Sequence, residues 1–273
     1  MKTKGVLYIC HGKEYIQEAL RSVKSLKRHM SNLPISLVCS EASFDNSEGL
    51  FDQVILLPAV PLENKEGYLY KIRGFQASPY DETLFLDSDT YVLRDFSEVF
   101  RLCDAFEMAL CHDVIDLSLV CDEQGKVVEA IQPYNTGVIL YRSSQNTKEF
   151  FALWESIFLE RHPHFIHDQP AFMEALWRNP LCIYQLHNIY NLRIPYSAYI
   201  LPLAVKILHG RHLDFDKVGD RINREADKPR LWSAWNLSVT VSKHQPKYRI
   251  YNLLPPFLQK LAKRTYLLIW DKS

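Results

Sequence analysis

The sequence predicts an α/β protein with a mostly parallel, doubly wound sheet and helices on both faces. Strand-like and helix-like segments alternate through the first half of the chain, which is typical of βαβ units. The strand-like segments are short runs of consecutive apolar residues, as expected for buried strands. Two of these runs, residues 6–10 and 83–86, end directly in polar residues. Sheets of this kind bind ligands beyond the carboxyl ends of their strands.

Each further element rests on a local pattern. A helix over residues 14–30 is predicted because apolar residues recur three or four positions apart on one face: Ile16, Leu20, Val23, Leu26 and Met30. A helix over residues 69–77 ends before Ser78-Pro79, since the residue before proline resists the α conformation. The remaining predictions are buried strands at residues 35–39 and 54–57, strands at 137–141 and 205–208, and helices at 147–161 and 170–177. We expect one domain over residues 1–242 and a helical extension over residues 243–273.

The composition is that of an ordinary globular protein, with 47% hydrophobic and 23% charged residues. Thirty-two basic residues balance 32 acidic ones, so the net charge gives no reason to expect nucleic-acid binding. The first apolar run is too short for a signal peptide, and a cytoplasmic location is the default expectation. None of the six cysteines forms a C-x-x-C pair, and Cys10, Cys39 and Cys182 in apolar runs are expected to be buried.

The triplet Asp87-Ser88-Asp89 follows a predicted buried strand. Two carboxylates placed two residues apart can both approach one hard cation, and Mg²⁺ or Mn²⁺ often shares such ligands with substrate phosphates. The alternative is a strand-end turn with exposed acids. The chain contains a second Asp-x-Asp, Asp214-Phe215-Asp216, which follows polar residues and is interpreted as a solvated helix start.

The same triplet resembles the first motif of the haloacid-dehalogenase-type phosphatases, in which the first Asp is the nucleophile. That motif requires Thr or Val where this chain has Tyr91, and Arg224 stands where a later acidic residue is expected. A set of βα units also precedes the triplet, whereas the motif usually begins its domain. A phosphohydrolase using Asp87 is therefore the alternative enzyme.

Several segments in order resemble the glycosyltransferase family 8-like enzymes, the retaining nucleotide-sugar transferases of glycogenin and bacterial lipopolysaccharide galactosyltransferase type, which have the GT-A fold. The resemblance extends over most of the chain, from about residue 6 to residue 210. Each motif is short and weak alone, and their order carries the resemblance. The matching segments are Lys71-Ile72-Arg73, residues 83–93 around the triplet, residues 134–141, Asp168-Gln169, Tyr190-Asn191 and the strand ending in His209-Gly210.

The resemblance implies a role for each matching residue. Asp87, Asp89 and His209 would bind Mn²⁺ (or Mg²⁺), while Asp168 and Gln169 would line the reacting face. The residues implied in binding the donor, a UDP-sugar or related nucleotide diphosphate, are His11, Gly12, Tyr15, Lys71, Asp87, Ser88, Asp89, Asn135 and Gly210. Simpler interpretations also stand: His209 capping a strand end, Tyr15 packed on the core, Lys71 solvated, and Asp168 capping a helix.

The resemblance further implies transfer with retention, in which a diphosphate oxygen takes the acceptor proton; Asp168 acting as a nucleophile is the alternative. One departure is that Arg211-His212-Leu213 replaces the Lys-Pro-Trp with which the family grips the diphosphate. A non-catalytic nucleotide-sugar-binding protein therefore stays open. Basic and aromatic residues interleave over residues 243–273, which suits either a membrane surface carrying a lipid-linked acceptor or a tail helix docked on the domain.

Overall fold

A central seven-stranded sheet organises the chain in the computed structural model, which describes residues 2–41, 44–62, 65–113, 132–161, 167–196, 199–233 and 238–241. Its strands are β1 (Lys4–Cys10), β2 (Ile35–Cys39), β3 (Gln53–Leu56), β4 (Glu82–Leu86), β6 (Met108–His112), β7 (Tyr134–Arg142) and β8 (Ile183–Gln185). Their order in the sheet is β3-β2-β1-β4-β7-β6-β8. Every neighbouring pair is parallel except the two pairs that involve β7.

Helices cover both faces of this sheet. On one face, α1 (Lys13–Lys27) packs its apolar stripe against alternate side chains of the strands, such as Val6 and Tyr8. The other face is covered by α2 (Glu66–Gly74), α3 (Gln145–Arg161) and α4 (Gln169–Arg178). Their core is rich in aromatic rings, including the fully buried Trp154. The two cores leave the central strands β1, β2 and β4 buried on both sides, as their apolar runs predict.

Two small sheets extend the fold beyond the central one. One has the order β5-β11-β9, formed by β5 (Thr90–Val92), β11 (Ile207–His209) and β9 (Leu192–Arg193); the other has the order β10-β12-β13, formed by β10 (Tyr199–Leu201), β12 (Arg230–Ser233) and β13 (Ser238–Val241). A third core joins them to α5 (Phe215–Asn223). In the first of these sheets His209 pairs with Thr90, which brings the late strand to the end of the acidic triplet.

The α/β class and the mostly parallel sheet are confirmed, and most predicted elements lie within a few residues of their observed bounds. Four details of the prediction are wrong. The helix over residues 69–77 ends at Gly74 and continues as a 3-10 turn. Strand β3 is at the sheet edge and only partly buried, Cys182 is exposed, and the late strand includes His209. The extension over residues 243–273 lies outside the described residues. Among the residues that are described, no helix is both long and apolar enough to span a bilayer.

Candidate metal and nucleotide site

The candidate site lies where β1 and β4 end side by side. From β1 the chain proceeds to β2 and β3 on one side of the sheet and then crosses to β4 on the other. This reversal of strand order opens a crevice at the carboxyl ends of β1 and β4. His11 and Gly12 follow the first strand, and Asp87 follows the second. Gly12 has a φ of 97°, a left-handed conformation that suits glycine in the turn from β1 into α1.

The acidic triplet is fixed by its backbone. The amide of Asp87 donates to the carbonyl of Gly137 at 2.8 Å, and the carbonyl of Asp89 accepts from the amide of Gly210 at 3.0 Å. The triplet therefore bridges the middle of β7 and the end of β11. This placement is not that of a loose strand-end turn.

His209 completes a three-residue cluster with the two aspartates. Its Nε2 lies 3.3 Å from Oδ1 of Asp89 and 3.8 Å from Oδ2 of Asp87. One ligand atom from each residue lies within 4.8 Å of the others. Two carboxylates and one imidazole are a donor set that suits Mn²⁺ and, less fully, Mg²⁺. His209 is buried, and its Nδ1 contacts Oδ1 of Asn191 at 2.8 Å, which fixes the orientation of the ring. The ring faces both aspartates through Nε2, so the interpretation that it only caps a strand end is wrong.

Gly137 leaves the space that this cluster occupies. A Cβ atom at this position would lie 2.7 Å from Oδ2 of Asp87 and would clash with the ring of His209. Real Cβ atoms do not approach other atoms so closely, so any other residue would push the two candidate ligands apart. The glycine of β7 is therefore part of the site's geometry.

Lys71 lies beside the cluster with its side chain only 13% exposed, which excludes the interpretation of a solvated helix lysine. Its Nζ lies 3.1 Å from Oδ1 of Asp87 and 3.3 Å from Oδ2 of Asp168, and it donates to Oγ1 of Thr136 at 3.5 Å. Burial alone would lower the pKa of Lys71, but the carboxylates of Asp168 and Asp87 raise it above its usual value. The ammonium is thus held charged between two acids.

The two aspartates of the triplet are in different electrostatic environments. Burial raises the pKa of Asp87 above its usual range, against the opposing effects of Lys71 and His209. Burial would also raise the pKa of Asp89, but His209 and Arg211 hold it well below its usual range. A cation bound by both groups favours the ionised form of each.

A pocket of about 460 Å³ opens from the cluster. Seven of the predicted site residues line it: His11, Tyr15, Lys71, Asp87, Ser88, Asp89 and His209. Tyr15 is 47% exposed, so the alternative in which it packs on the core is wrong. A half-exposed aromatic ring at a pocket is able to stack on a base.

The other predicted residues lie outside the lining that the described residues form. Asp168 accepts from Oγ1 of Thr136 at 3.0 Å and contacts Lys71, while Gln169 donates to Asp113 at 3.3 Å. Asp168 precedes α4, yet its side chain makes no capping bond, so the capping interpretation is wrong. Asn135 is also buried and bonds to protein groups. Gly210 contributes its backbone amide to Asp89.

Residues without a predicted role also belong to this region. Glu18 of α1 accepts from Oγ of Ser88 at 2.9 Å and from Nε of Arg211 at 2.6 Å, and it thereby links the triplet to the residue after Gly210. Tyr68 and Arg211 line the pocket. Of Glu18, Tyr68 and Arg211, only Arg211 had a signal in the sequence, because it lies two residues after the candidate ligand His209.

A larger groove of about 1120 Å³ lies at the other end of the β5–β11 ladder, around Leu93 and Lys206. Its lining contains neither the acidic triplet nor His209. Its acidic residues include Asp216 of the second Asp-x-Asp, which is paired with Arg28. The chemistry suited to a metal and a diphosphate is therefore in the smaller pocket.

Comparison with known proteins decides the family. The family model described as nucleotide-diphospho-sugar transferase matches residues 82–218, half of the chain. The chain belongs to this family. The match begins at β4 and contains the acidic triplet, Asn135, Asp168-Gln169 and His209. This family differs from the haloacid-dehalogenase-type phosphatases, so the family match does not support the phosphohydrolase interpretation.

Solved structures with the same fold are glycosyltransferases. The glycosyltransferase GlyE of Streptococcus pneumoniae TIGR4 is 19% identical with a TM-score of 0.56 and matches 78% of this chain. The galactosyltransferase LgtC is 12% identical with a TM-score of 0.54, and the match covers 90% of this chain and 99% of LgtC. Mouse xyloside xylosyltransferase 1 is 15% identical with a TM-score of 0.53 and matches 77% of this chain and 98% of its own.

These likenesses confirm the GT-A fold for this chain. The chain spans only 56% of the length of GlyE, little more than half. No curated protein matches the sequence.

Proposed function

We propose that this chain is a metal-dependent hexosyltransferase that moves a sugar from a nucleotide diphosphate donor, a UDP-sugar, to a glycan or lipid-linked acceptor. The observation that carries the proposal is the cluster of Asp87, Asp89 and His209 at a pocket that Lys71 and Tyr15 also line. It combines a hard-cation donor set, a fixed positive charge and an aromatic ring. A nucleoside diphosphate offers complementary groups to all three.

Asp87, Asp89 and His209 would hold the ion, for which Mn²⁺ is proposed with Mg²⁺ as the alternative. Such an ion neutralises the charge that develops on a departing diphosphate. Ser88 lies between the two carboxylates and is oriented by Glu18. Tyr15 with His11 and Gly12 would receive the uridine at the end of β1, close to the N-terminus of α1, where amide groups favour anions.

Lys71 would stabilise the leaving diphosphate from the side of α2. Its charge is secured by Asp87 and Asp168, so it acts as a fixed point charge in a buried setting. The same contacts affect whether Asp168 could act as the nucleophile. Its carboxylate is ion-paired with Lys71 and accepts from Thr136, which weakens it as a nucleophile. These contacts support the retaining route in which a diphosphate oxygen takes the acceptor proton.

The acceptor side of the proposal rests on the sequence alone. The domain would end near residue 242, and the basic and aromatic residues 243–273 would contact an anionic membrane from the cytoplasmic side. Flotation on liposomes of anionic lipid tests this part. The full chain should float and a chain ending at residue 242 should not; equal flotation contradicts membrane contact by the tail.

A thermal-shift series with nucleoside diphosphates and nucleotide sugars, with and without Mn²⁺, tests the donor. Ligands that bind only the folded state raise the melting temperature. We expect a shift with UDP or a UDP-sugar that requires the ion. No shift with any nucleotide contradicts the proposal, and a shift without release of UDP from any UDP-sugar indicates a binding protein that does not catalyse transfer.

A further inference from the structure

A continuous chain of hydrogen bonds runs beneath the candidate metal ligands. Nδ2 of Asn135 donates to Oδ2 of Asp113 at 3.0 Å, Nδ2 of Asn191 donates to Oδ1 of Asn135 at 2.8 Å, and Nδ1 of His209 contacts Oδ1 of Asn191 at 2.8 Å. All four side chains are buried. They come from four separated places in the sequence, and their bonds converge on the one histidine of the cluster.

Two fixed groups decide the orientation of the first amide. Asp113 is a carboxylate paired with the guanidinium of Arg193 at 3.3 Å, so it presents acceptors and Asn135 must turn its NH₂ towards it. The backbone amide of Gly137 can only donate, and it donates to Oδ1 of Asn135 at 3.0 Å. Both groups require the same orientation of the Asn135 amide.

That orientation propagates to His209. Because Oδ1 of Asn135 faces Asn191, Asn191 must supply its NH₂ there, and its own Oδ1 is left to face the imidazole. An amide oxygen only accepts, so Nδ1 of His209 carries the proton. Nε2 of the neutral ring then has a free lone pair, and this is the atom that points at the two aspartates.

The opposite tautomer, with its proton on Nε2, is favoured by a neighbouring carboxylate. Oδ1 of Asp89 lies 3.3 Å from Nε2, and a carboxylate at that place favours a proton on Nε2. A ring with its proton on Nε2 would donate to Asp89 and could not ligate a metal through that atom. The buried chain behind the ring opposes this outcome.

We propose that Asp113, Asn135 and Asn191 are positioning residues that fix the Nδ1-protonated tautomer of His209 and so aim the Nε2 lone pair at the cation between Asp87 and Asp89. The inference rests on the proposed metal site but concerns the protein before the metal binds. It also gives Asn135 a role in the protein framework, since its Oδ1 already accepts two hydrogen bonds.

The tautomer is measured directly by long-range ¹H–¹⁵N NMR of the ¹⁵N-histidine-labelled, metal-free full chain, at an alkaline pH where the imidazole is neutral. The His209→Gln variant assigns the signal. The wild type should show Nδ1 protonated and Nε2 unprotonated. Asn191→Leu removes the acceptor and should move the proton to Nε2. Asn191→Asp keeps an acceptor for Nδ1 and should retain the wild-type tautomer.

Mn²⁺ affinity, measured by electron paramagnetic resonance titration of the free ion, is the second readout. Loss of such an outer partner costs about 10- to 100-fold in metal affinity, and we expect this for Asn191→Leu. Asn191→Asp should recover most of the affinity. Asn188→Leu, three residues earlier on the same turn with its side chain in no described hydrogen bond, is the matched control and should bind as the wild type does.

The outcomes separate this inference from the proposed function. A wild-type protein that binds no Mn²⁺ contradicts the metal site, and the NMR measurement still decides the tautomer. A proton on Nε2 in the metal-free wild type overturns the inference, as does unchanged Mn²⁺ affinity in a folded Asn191→Leu. If Asn191→Leu fails to fold, the wild-type spectrum still decides the tautomer. A proton on Nε2 in the Asn191→Asp variant would also contradict the inference.

Discussion

The chain contains two Asp-x-Asp sequences in very different settings. Asp87 and Asp89 follow a central strand, and both face a buried histidine. Asp214 and Asp216 lie at the start of α5 on the surface. Asp214 accepts from the amide of Lys217 at 2.9 Å and caps the helix, as the sequence predicts.

The difference shows that spacing alone does not make a metal site. In the first pair the two carboxylates converge with His209, which belongs to a strand far along the chain. In the second pair one carboxylate is used as a helix cap, and the other is paired with Arg28 at 3.2 Å and accepts from the hydroxyl of Tyr91 at 2.6 Å. The first pair follows β4 at the switch point between β1 and β4, and its backbone also contacts β7 and the end of β11.

The largest effect is expected from removing the charges of the first pair. Asp87→Asn with Asp89→Asn should lower the release of UDP from a UDP-sugar by about 10²–10³-fold or more, because electrostatic stabilisation of the leaving group is lost. Asp214→Asn with Asp216→Asn should leave the rate within a few-fold. Equal losses in the two double variants would remove the distinction between the pairs.

The next largest effect is the difference in stability when the basic residue beside each pair, Lys71 or Arg28, is removed. Lys71→Met leaves the half-buried Asp87 and the buried Asp168 without their partner and should lower the free energy of unfolding by about 3 kcal/mol. Arg28→Met removes an exposed partner of Asp216 and should cost no more than about 1 kcal/mol. Urea unfolding measures both, and added Mn²⁺ should stabilise Lys71→Met more than Arg28→Met, because the ion supplies a positive charge beside Asp87 in place of the lost ammonium. Equal destabilisation by the two changes would contradict the buried role of Lys71.

A methyl group at the glycine beside each pair sharpens the contrast. Gly137→Ala and Gly219→Ala each place a Cβ against a neighbour, the first against His209 and Asp87 and the second against the Leu93 side chain. Each should cost about 1–3 kcal/mol of stability through overpacking. Only Gly137→Ala should weaken Mn²⁺ binding in a calorimetric titration. Unchanged Mn²⁺ affinity in a folded Gly137→Ala would show that the ligands do not need this space.

The smallest effect concerns the helix cap. Asp214→Ala removes the acceptor for the Lys217 amide and should destabilise the protein by about 1 kcal/mol in urea unfolding. The rate of UDP release should stay unchanged, because Asp214 does not line the pocket of the acidic triplet. A loss of release without a loss of stability would place the second pair in the active region.

Much of the fold follows from the sequence because buried parallel strands leave a strong signal. The apolar runs that became β1, β2 and β4 are short and followed by polar residues, so these strands were predictable, as was a candidate site at the carboxyl ends of β1 and β4. Strand β5 was not predicted, although Tyr91 and Val92 are strand formers. It is three residues long and pairs only with β11 of a small sheet, and such contacts have no periodic pattern.

Site residues were predictable where they follow a strand as part of a motif. They were not predictable where their role depends on contacts with residues far away in the sequence. Asp87, Asp89 and His209 could be proposed as ligands from their order in the chain. The burial of Lys71 between two acids could not, since a helix lysine is usually solvated. Glu18 and Asp113 act through residues far away in the sequence, Ser88 and Asn135, and nothing local marks either of them.

The central claim is that Asp87, Asp89 and His209 bind a divalent cation and that Asp214 and Asp216 do not. Titration of Mn²⁺ into the wild type and the two double Asn variants, followed by electron paramagnetic resonance, tests it most directly. We predict that the wild type and the Asp214→Asn/Asp216→Asn variant bind the ion with the same affinity, while the Asp87→Asn/Asp89→Asn variant loses that binding. Wild-type affinity in the folded Asp87→Asn/Asp89→Asn variant would contradict the account.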